Sequence, residues 1–244
     1  MSAGRPLNVL VTGGSGPSGI AAARALRDAG HRVFTVGSDA ARIQAAAAEA
    51  GSGVTPLVCD LASLAGVRDL RAAVIATAGS VDGVIHLVGG WRGAKGIADQ
   101  SDDDWDFLER NAITTLRNVT RVFFDDLAAS DAGRFAMVSS TAVAAPTAGG
   151  ASYAAAKAAA EAWTLAVADG FRRVQSGRRE DPVEQHSAAA IFVVKALVDP
   201  AMRAKAPERT FPGFTDVADL AAAAAGLFDT PAGDLNGRRL PLDR

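Results

Sequence analysis

Cysteine, tyrosine and lysine are scarce in this chain. One cysteine, Cys59, excludes an internal disulfide. It sits in an apolar, strand-like run, where it reads as a small buried hydrophobe suited to a reducing cytoplasm. No stretch reaches the roughly 18 uninterrupted apolar residues that a membrane-spanning helix needs. The opening Met-Ser-Ala-Gly-Arg-Pro lacks the charged-then-apolar order of a leader. A cytoplasmic protein with no membrane partner is expected. Charge is nearly balanced, at −2 with a pI near 5.9. Basic residues crowd only at Arg172, Arg173, Arg178 and Arg179, in one short polar stretch, so no nucleic-acid-binding stripe is expected, and the polar insert Gln175–His186 reads as a solvated loop. No metal is expected either.

What is abundant is apolar material, 49% of 244 residues, enough for one sizeable core and one domain spanning 1–244. Apolar runs of strand length alternate with longer helix-patterned stretches, the signature of βαβ units on a parallel sheet. Seven strands are predicted, at about Leu7–Thr12, Arg32–Val36, Val54–Cys59, Gly83–Val88, Gly133–Ser139, Ala188–Val194 and Arg238–Leu242. Ser38, Ser63, Ser101 and Thr215 stand where helix N-caps belong, and Gly30, Gly51 and Gly79 where helices stop. Alanine tracts such as Ala45–Ala48 and Ala221–Ala225 suit helices packed closely on a sheet. Two segments lack a pattern, Gly89–Gln100 and Asp199–Gly213 (a short substrate loop at about 199–214), and both read as active-site loops after strand ends.

Two motifs carry chemistry. Thr12-Gly13-Gly14-Ser15-Gly16-Pro17-Ser18-Gly19 follows the first strand and opens a helix, the context in which glycines let backbone approach a pyrophosphate and Pro17 suits a first helical position. The one tyrosine, Tyr153, precedes Lys157, one of four lysines, by four residues. On a helix that spacing stacks both on one face, where an ammonium would favour the ionised phenol and make Tyr153 a proton donor near neutral pH.

With these motifs at its two ends, the chain resembles the short-chain dehydrogenase/reductase family over essentially its whole length. The resemblance implies a Rossmann-type, doubly wound parallel α/β sheet of about seven strands with helices on both faces. It implies hydride transfer between NADP or NAD and a small carbonyl, alcohol or pterin-like molecule. Asn111, Ser140, Tyr153 and Lys157 would form the catalytic tetrad, with Ser139 a second serine candidate. Tyr153 would give the proton and Ser140 would hold the substrate oxygen. Lys157 would bind ribose and depress the tyrosine pKa, and Asn111 would anchor a water. Cofactor contacts fall on Gly13, Ser15, Gly16, Pro17, Gly19, Ser38, Arg42, Asp60, Leu61, Val88, Gly89, Tyr153, Lys157 and Val198. Substrate contacts fall on Trp91, Ser140 and Lys195. The family's acidic residue at the end of strand two is replaced by Gly37, which tilts the reading towards NADP with Ser38 and Arg42 as phosphate ligands; Asp39 would face solvent as an early helical residue. Gly89-Gly90-Trp91, the Ala-Ala-Ala-Ile strand and Leu-Val-Asp-Pro-Ala-Met-Arg look like the dihydropteridine reductase subgroup, which lacks the serine supplied here by Ser140. A homodimer or homotetramer through the helices at 101–130 and 152–176 is implied. The competing readings are a non-catalytic dinucleotide sensor, and an epimerase or dehydratase on the same fold.

Overall fold

The computed structural model describes residues 5–177 and 183–242, so Arg178 and Arg179 lie outside the described residues. Its strands are β1 (Asn8–Thr12), β2 (Arg32–Gly37), β3 (Val54–Val58), β4 (Gly83–His86), β5 (Arg134–Ser140), β6 (Ala188–Val194), β7 (Leu197–Val198), β8 (Thr215–Asp216) and β9 (Arg239–Pro241). Its helices are α1 (Pro17–Asp28), α2 (Ala40–Ala50), α3 (Leu64–Ala78), α4 (Asp102–Leu108), α5 (Thr115–Ala129), α6 (Ala151–Gln175), α7 (Pro200–Lys205), α8 (Val217–Gly226) and α9 (Ala232–Leu235).

Seven strands form one parallel sheet in the order β3-β2-β1-β4-β5-β6-β9. The order reverses between β1 and β4, which opens a crevice beyond their carboxyl ends. Alternation along the strands sends neighbouring residues to opposite faces. Leu10, Phe34, Phe135 and Ile191 pack with α3, α5 and α6, while Val9, Val33, Ala136 and Phe192 pack with α1, α8 and α9. Every residue of β6 is buried, which is why Ala-Ala-Ala-Ile-Phe-Val-Val is apolar throughout.

The seven predicted strands are the seven of the main sheet, with ends displaced by at most two residues. The small β7–β8 pair is additional, since two-residue strands leave no periodic signal. Ser63 and Ser101 cap their helices as expected. Ser38 and Thr215 do not: Asp39 accepts from the Arg42 amide and Asp216 from the Ala218 amide. Asp39 is thus the cap of α2 and not its early helical residue. The stretch expected as one long helix over 101–130 is broken by a π-helical turn at Glu109–Thr114, a feature that sequence periodicity does not report and that recurs at functional sites.

Candidate active site

The turn after β1 is shaped by close backbone approach. Gly13 has φ +76°, and a Cβ there would meet the Leu87 carbonyl at 2.8 Å. A Cβ on Gly19 would lie 2.4 Å from the Gly13 oxygen, so α1 starts against the turn itself. Pro17 occupies its first turn and Gly16 caps it without any side-chain hydrogen bond. Beside it lies a cavity of about 350 Å³ lined by Gly13, Ser15, Gly16, Ser38, Arg42, Asp60, Leu61, Val88, Gly89 and Asn111.

The Ser15 hydroxyl is buried and has no hydrogen-bond partner. An orphaned hydroxyl at a cradle of small residues is a polar group whose partner is supplied from outside the chain. Gly37 is tied to it, because a Cβ at 37 would lie 2.4 Å from Ser15 Oγ. A side chain at the end of β2 would have to displace the Ser15 hydroxyl. The residues of the cavity fit a nucleotide: Ser15 and Gly16 line it at the uncapped start of α1, where an anion would be favoured.

A larger cleft of about 830 Å³ continues from it, and the two cavities share Leu87, Val88 and Gly89. Ser140, Tyr153 and Lys157 line this cleft, along with Ser18, Trp91, Ala145, Lys195 and Leu197. Ser140, at the end of β5, and Tyr153, at the start of α6, line the cleft together, and Ser140 acts to lower the pKa of the phenol. Lys157, one turn on, is buried and donates to the Val138 carbonyl at 2.8 Å. Its Nζ lies 6.0 Å from the Tyr153 ring centroid.

The electrostatics correct one expectation. The Tyr153 phenol is pushed up, not down, because burial penalises phenolate more than Ser140 relieves it. Helical spacing places Lys157 on the same face, but its ammonium turns to the Val138 carbonyl. Lys157 itself is pulled down by burial to about 8, with Glu161 acting in the opposite direction.

Asn111 stands in the π-helical turn. Its side chain donates to the Phe107 carbonyl at 2.8 Å and its own carbonyl accepts from Thr115 Oγ1 at 2.7 Å. Thr115 Oγ1 also lies 3.3 Å from His86 Nε2, and His86 Nδ1 lies 2.8 Å from Thr12 Oγ1. Since the Thr115 proton goes to Asn111, His86 donates through Nε2 and accepts at Nδ1 from Thr12. A neutral histidine thus links β1, β4 and the π turn. Burial, then the Lys157 charge, pull its pKa down to about 3. Sequence reasoning missed His86, although it is the one titratable residue in the strand Gly-Val-Ile-His.

The other expected residues divide between the cavity walls and positions apart from them. Val198 is fully buried in the β7–β8 pair and lines neither cavity. Pro17 and Gly19 shape the turn without lining a cavity. Ser139 points away from Ser140 and donates to Glu161 at 2.5 Å. Asp60 forms an exposed pair with Arg110 at 2.7 Å. Trp91 is 67% exposed on the cleft lining. Lys195 Nζ donates to the Pro212 carbonyl at 3.1 Å. The loop 89–100 reaches the cleft through Gly89, Gly90, Trp91 and Ala94, whereas no residue of 199–213 lines it. Gln100, also missed, pins the first loop: it donates to Gly96 and Ala148 and accepts from Ser152.

A family profile described as short chain dehydrogenase matches residues 7–175. The NADP-dependent 3-hydroxy acid dehydrogenase YdfG of Salmonella typhi is 28% identical over 157 residues, a match covering 64% of this chain and 63% of that protein's length. The Pseudomonas aeruginosa RhlG/NADP active-site complex superposes with TM-score 0.82 at 20% identity, covering 99% of this chain and 96% of that one. The NAD+-bound xylitol dehydrogenase gives 0.79 at 18%, covering 97% of each. An apo short chain oxidoreductase from Pseudomonas aeruginosa PAO1 with an atypical catalytic centre gives 0.82 at 18%, covering 97% of this chain and 95% of that one. The family match spans the turn, both cavities' principal walls and the Tyr153–Lys157 helix. This chain therefore belongs to the short chain dehydrogenase family.

Proposed function

We propose that this protein is an NAD(P)H-dependent reductase of small carbonyl compounds, using Tyr153, Ser140, Lys157 and Asn111. The observation that carries this is the continuity of the two cavities at Leu87–Gly89: one elongated ligand can satisfy Ser15 at one end and reach the Ser140–Tyr153 pair at the other. Family membership and the NADP dependence named for the Salmonella relative agree with it.

A bound nicotinamide cofactor supplies the hydride. Tyr153 gives its phenolic proton to the carbonyl oxygen, and Ser140 hydrogen-bonds that oxygen as charge develops. A phenol held above its ordinary pKa stays protonated at neutral pH, which suits a donor and the reductive direction. Lys157 remains mostly cationic below about pH 8 and sits where it can hold the ribose. Asn111, fixed in the π turn, orders water behind it. Gly37, with Ser38 and Arg42 lining the nucleotide cavity, supports NADP over NAD. Asp39 is engaged by the Arg42 amide as helix cap, and its exposed pair with the Arg42 side chain at 3.7 Å is weak enough to yield to a phosphate. Trp91 and the aliphatic cleft wall suit a flat or apolar substrate, and Lys195 suits one bearing a carboxylate or phosphate.

We also place the protein in a reducing cytoplasm, and no described helix is long and apolar enough to cross a membrane. We propose a homo-oligomer through α5 and α6, where Phe124, Trp163, Ala166 and Val167 line a surface groove and Leu165 is 43% exposed. The functional test is a fluorescence titration with NADPH and NADH, on the wild type and Lys157→Ala, followed by a ketone screen with Tyr153→Phe. Micromolar NADPH binding weakened in Lys157→Ala is expected. Turnover should fall about 10²- to 10⁴-fold in Tyr153→Phe while binding persists. No binding of either cofactor overturns the proposal.

A further inference from the structure

One buried charge beside the site has no role in the reaction as written. Glu161, 7% exposed, lies on α6 four residues beyond Lys157 and eight beyond Tyr153. A phenol, an ammonium and a carboxylate thus occupy one helical stripe. Each meets a successive part of β5. Tyr153 meets Ser140, Lys157 donates to the Val138 carbonyl, and Ser139 Oγ donates to Glu161 Oε1 at 2.5 Å. Arg239 of β9 closes on the far side, 3.1 Å from Oε1 and 3.0 Å from Oε2.

We propose that Glu161 is a positioning residue: its carboxylate, one turn behind Lys157, keeps the lysine cationic at the cleft, and Arg239 limits that influence. This rests on the reductase reading for its use, because a cationic Lys157 is what that reading assigns to the ribose. Among the described residues, Glu161 is the one charged group that acts to raise the Lys157 pKa. From β4 comes neutral His86; from β5 comes only the Val138 carbonyl; β6 is apolar. On the π turn, α4 and α5, Arg110 is paired with Asp60, Glu109 with Thr114, Asp104 with Arg92 and Asp126 with Arg71. Burial already draws Lys157 down to about 8, and Glu161 is the opposing influence. Without it, Lys157 would lose its proton at lower pH.

The single tyrosine makes this measurable without substrate. Protein labelled with ¹³C at tyrosine Cζ gives one resonance, and a pH titration should show a step near pH 8 that vanishes in Lys157→Met. In Glu161→Gln that step should move down by about one pH unit. In Arg239→Gln it should move up, since a cation is removed. Opposite shifts are the expected result, and a role confined to packing would not produce them. A step that stays put in both variants, one that moves the same way in both, or none in the wild type overturns the proposal. If Glu161→Gln fails to fold, Arg239→Gln decides alone: an upward shift supports the proposal and any other result overturns it. An NADPH titration on the same samples tests the reductase reading separately.

Discussion

Replacing His86 by asparagine should flatten the acid sensitivity of folding. His86 is 2% exposed and its pKa falls from 6.5 to about 3 on folding. The sign follows from proton binding. Between those values the unfolded chain holds a proton that the folded protein refuses, so stability is intact above 6.5 and is lost as pH falls towards 3. From 6.5 to 4.5 the loss is two units at about 1.36 kcal/mol each, or about 2.7 kcal/mol. That is a large part of the 5–15 kcal/mol typical of a domain. Other groups also titrate here. Asp82, despite a burial penalty, is held low by Arg5, the Asn8 amide and Ser130. Such contributions are common to both proteins and cancel in a double difference. Asparagine is uncharged throughout this pH range, so its own cost should be nearly independent of pH. Urea unfolding at pH 7.5 and 4.5 measures the four free energies. The wild type should lose about 2–3 kcal/mol more than His86→Asn on acidification. Equal losses, within about 0.5 kcal/mol, would refute the assignment of a neutral, proton-refusing His86.

Two more outcomes follow from the site's geometry. Gly19→Ala sets a Cβ against the Gly13 oxygen and Gly14 Cα at 2.4 and 2.6 Å; it should cost about 1–3 kcal/mol in urea unfolding and abolish NADPH binding by fluorescence. Lys195→Met should lower kcat/KM about tenfold for carbonyl substrates that carry an anion, leaving neutral ones unchanged, which steady-state kinetics on a matched pair would check.

The sheet was legible because a buried parallel strand has to be apolar and a helix between strands has to be amphipathic, so β6 and the α1 turn announce themselves. That the glycine turn and the Tyr153–Lys157 pair stand along the two cavities was legible for a different reason: both are local spacings, and local spacing survives in one dimension. Ser38 and Asp39 show where this stops. Both are good caps, and the choice falls to Asp39 only because β2 runs on through Gly37, a limit set by pairing with Val58 on β3.

Tyr153 shows the same limit in energetic form. The spacing correctly put Lys157 on its face of the helix, but the direction of a pKa shift depends on which of burial and charge is larger, and burial is fixed by residues far away in sequence. His86 and Glu161 escaped reading because each draws its meaning from partners on other elements: Thr12 and Thr115 for one, Ser139 and Arg239 for the other. Spacing along one helix therefore identifies which groups can meet, while the strands packed against that helix decide which of them is charged. In this cleft that decision falls on β4 and β5, whose His86, Val138 and Ser139 flank Lys157 and Glu161, so changes there should alter the site's pH response as strongly as changes on the helix itself.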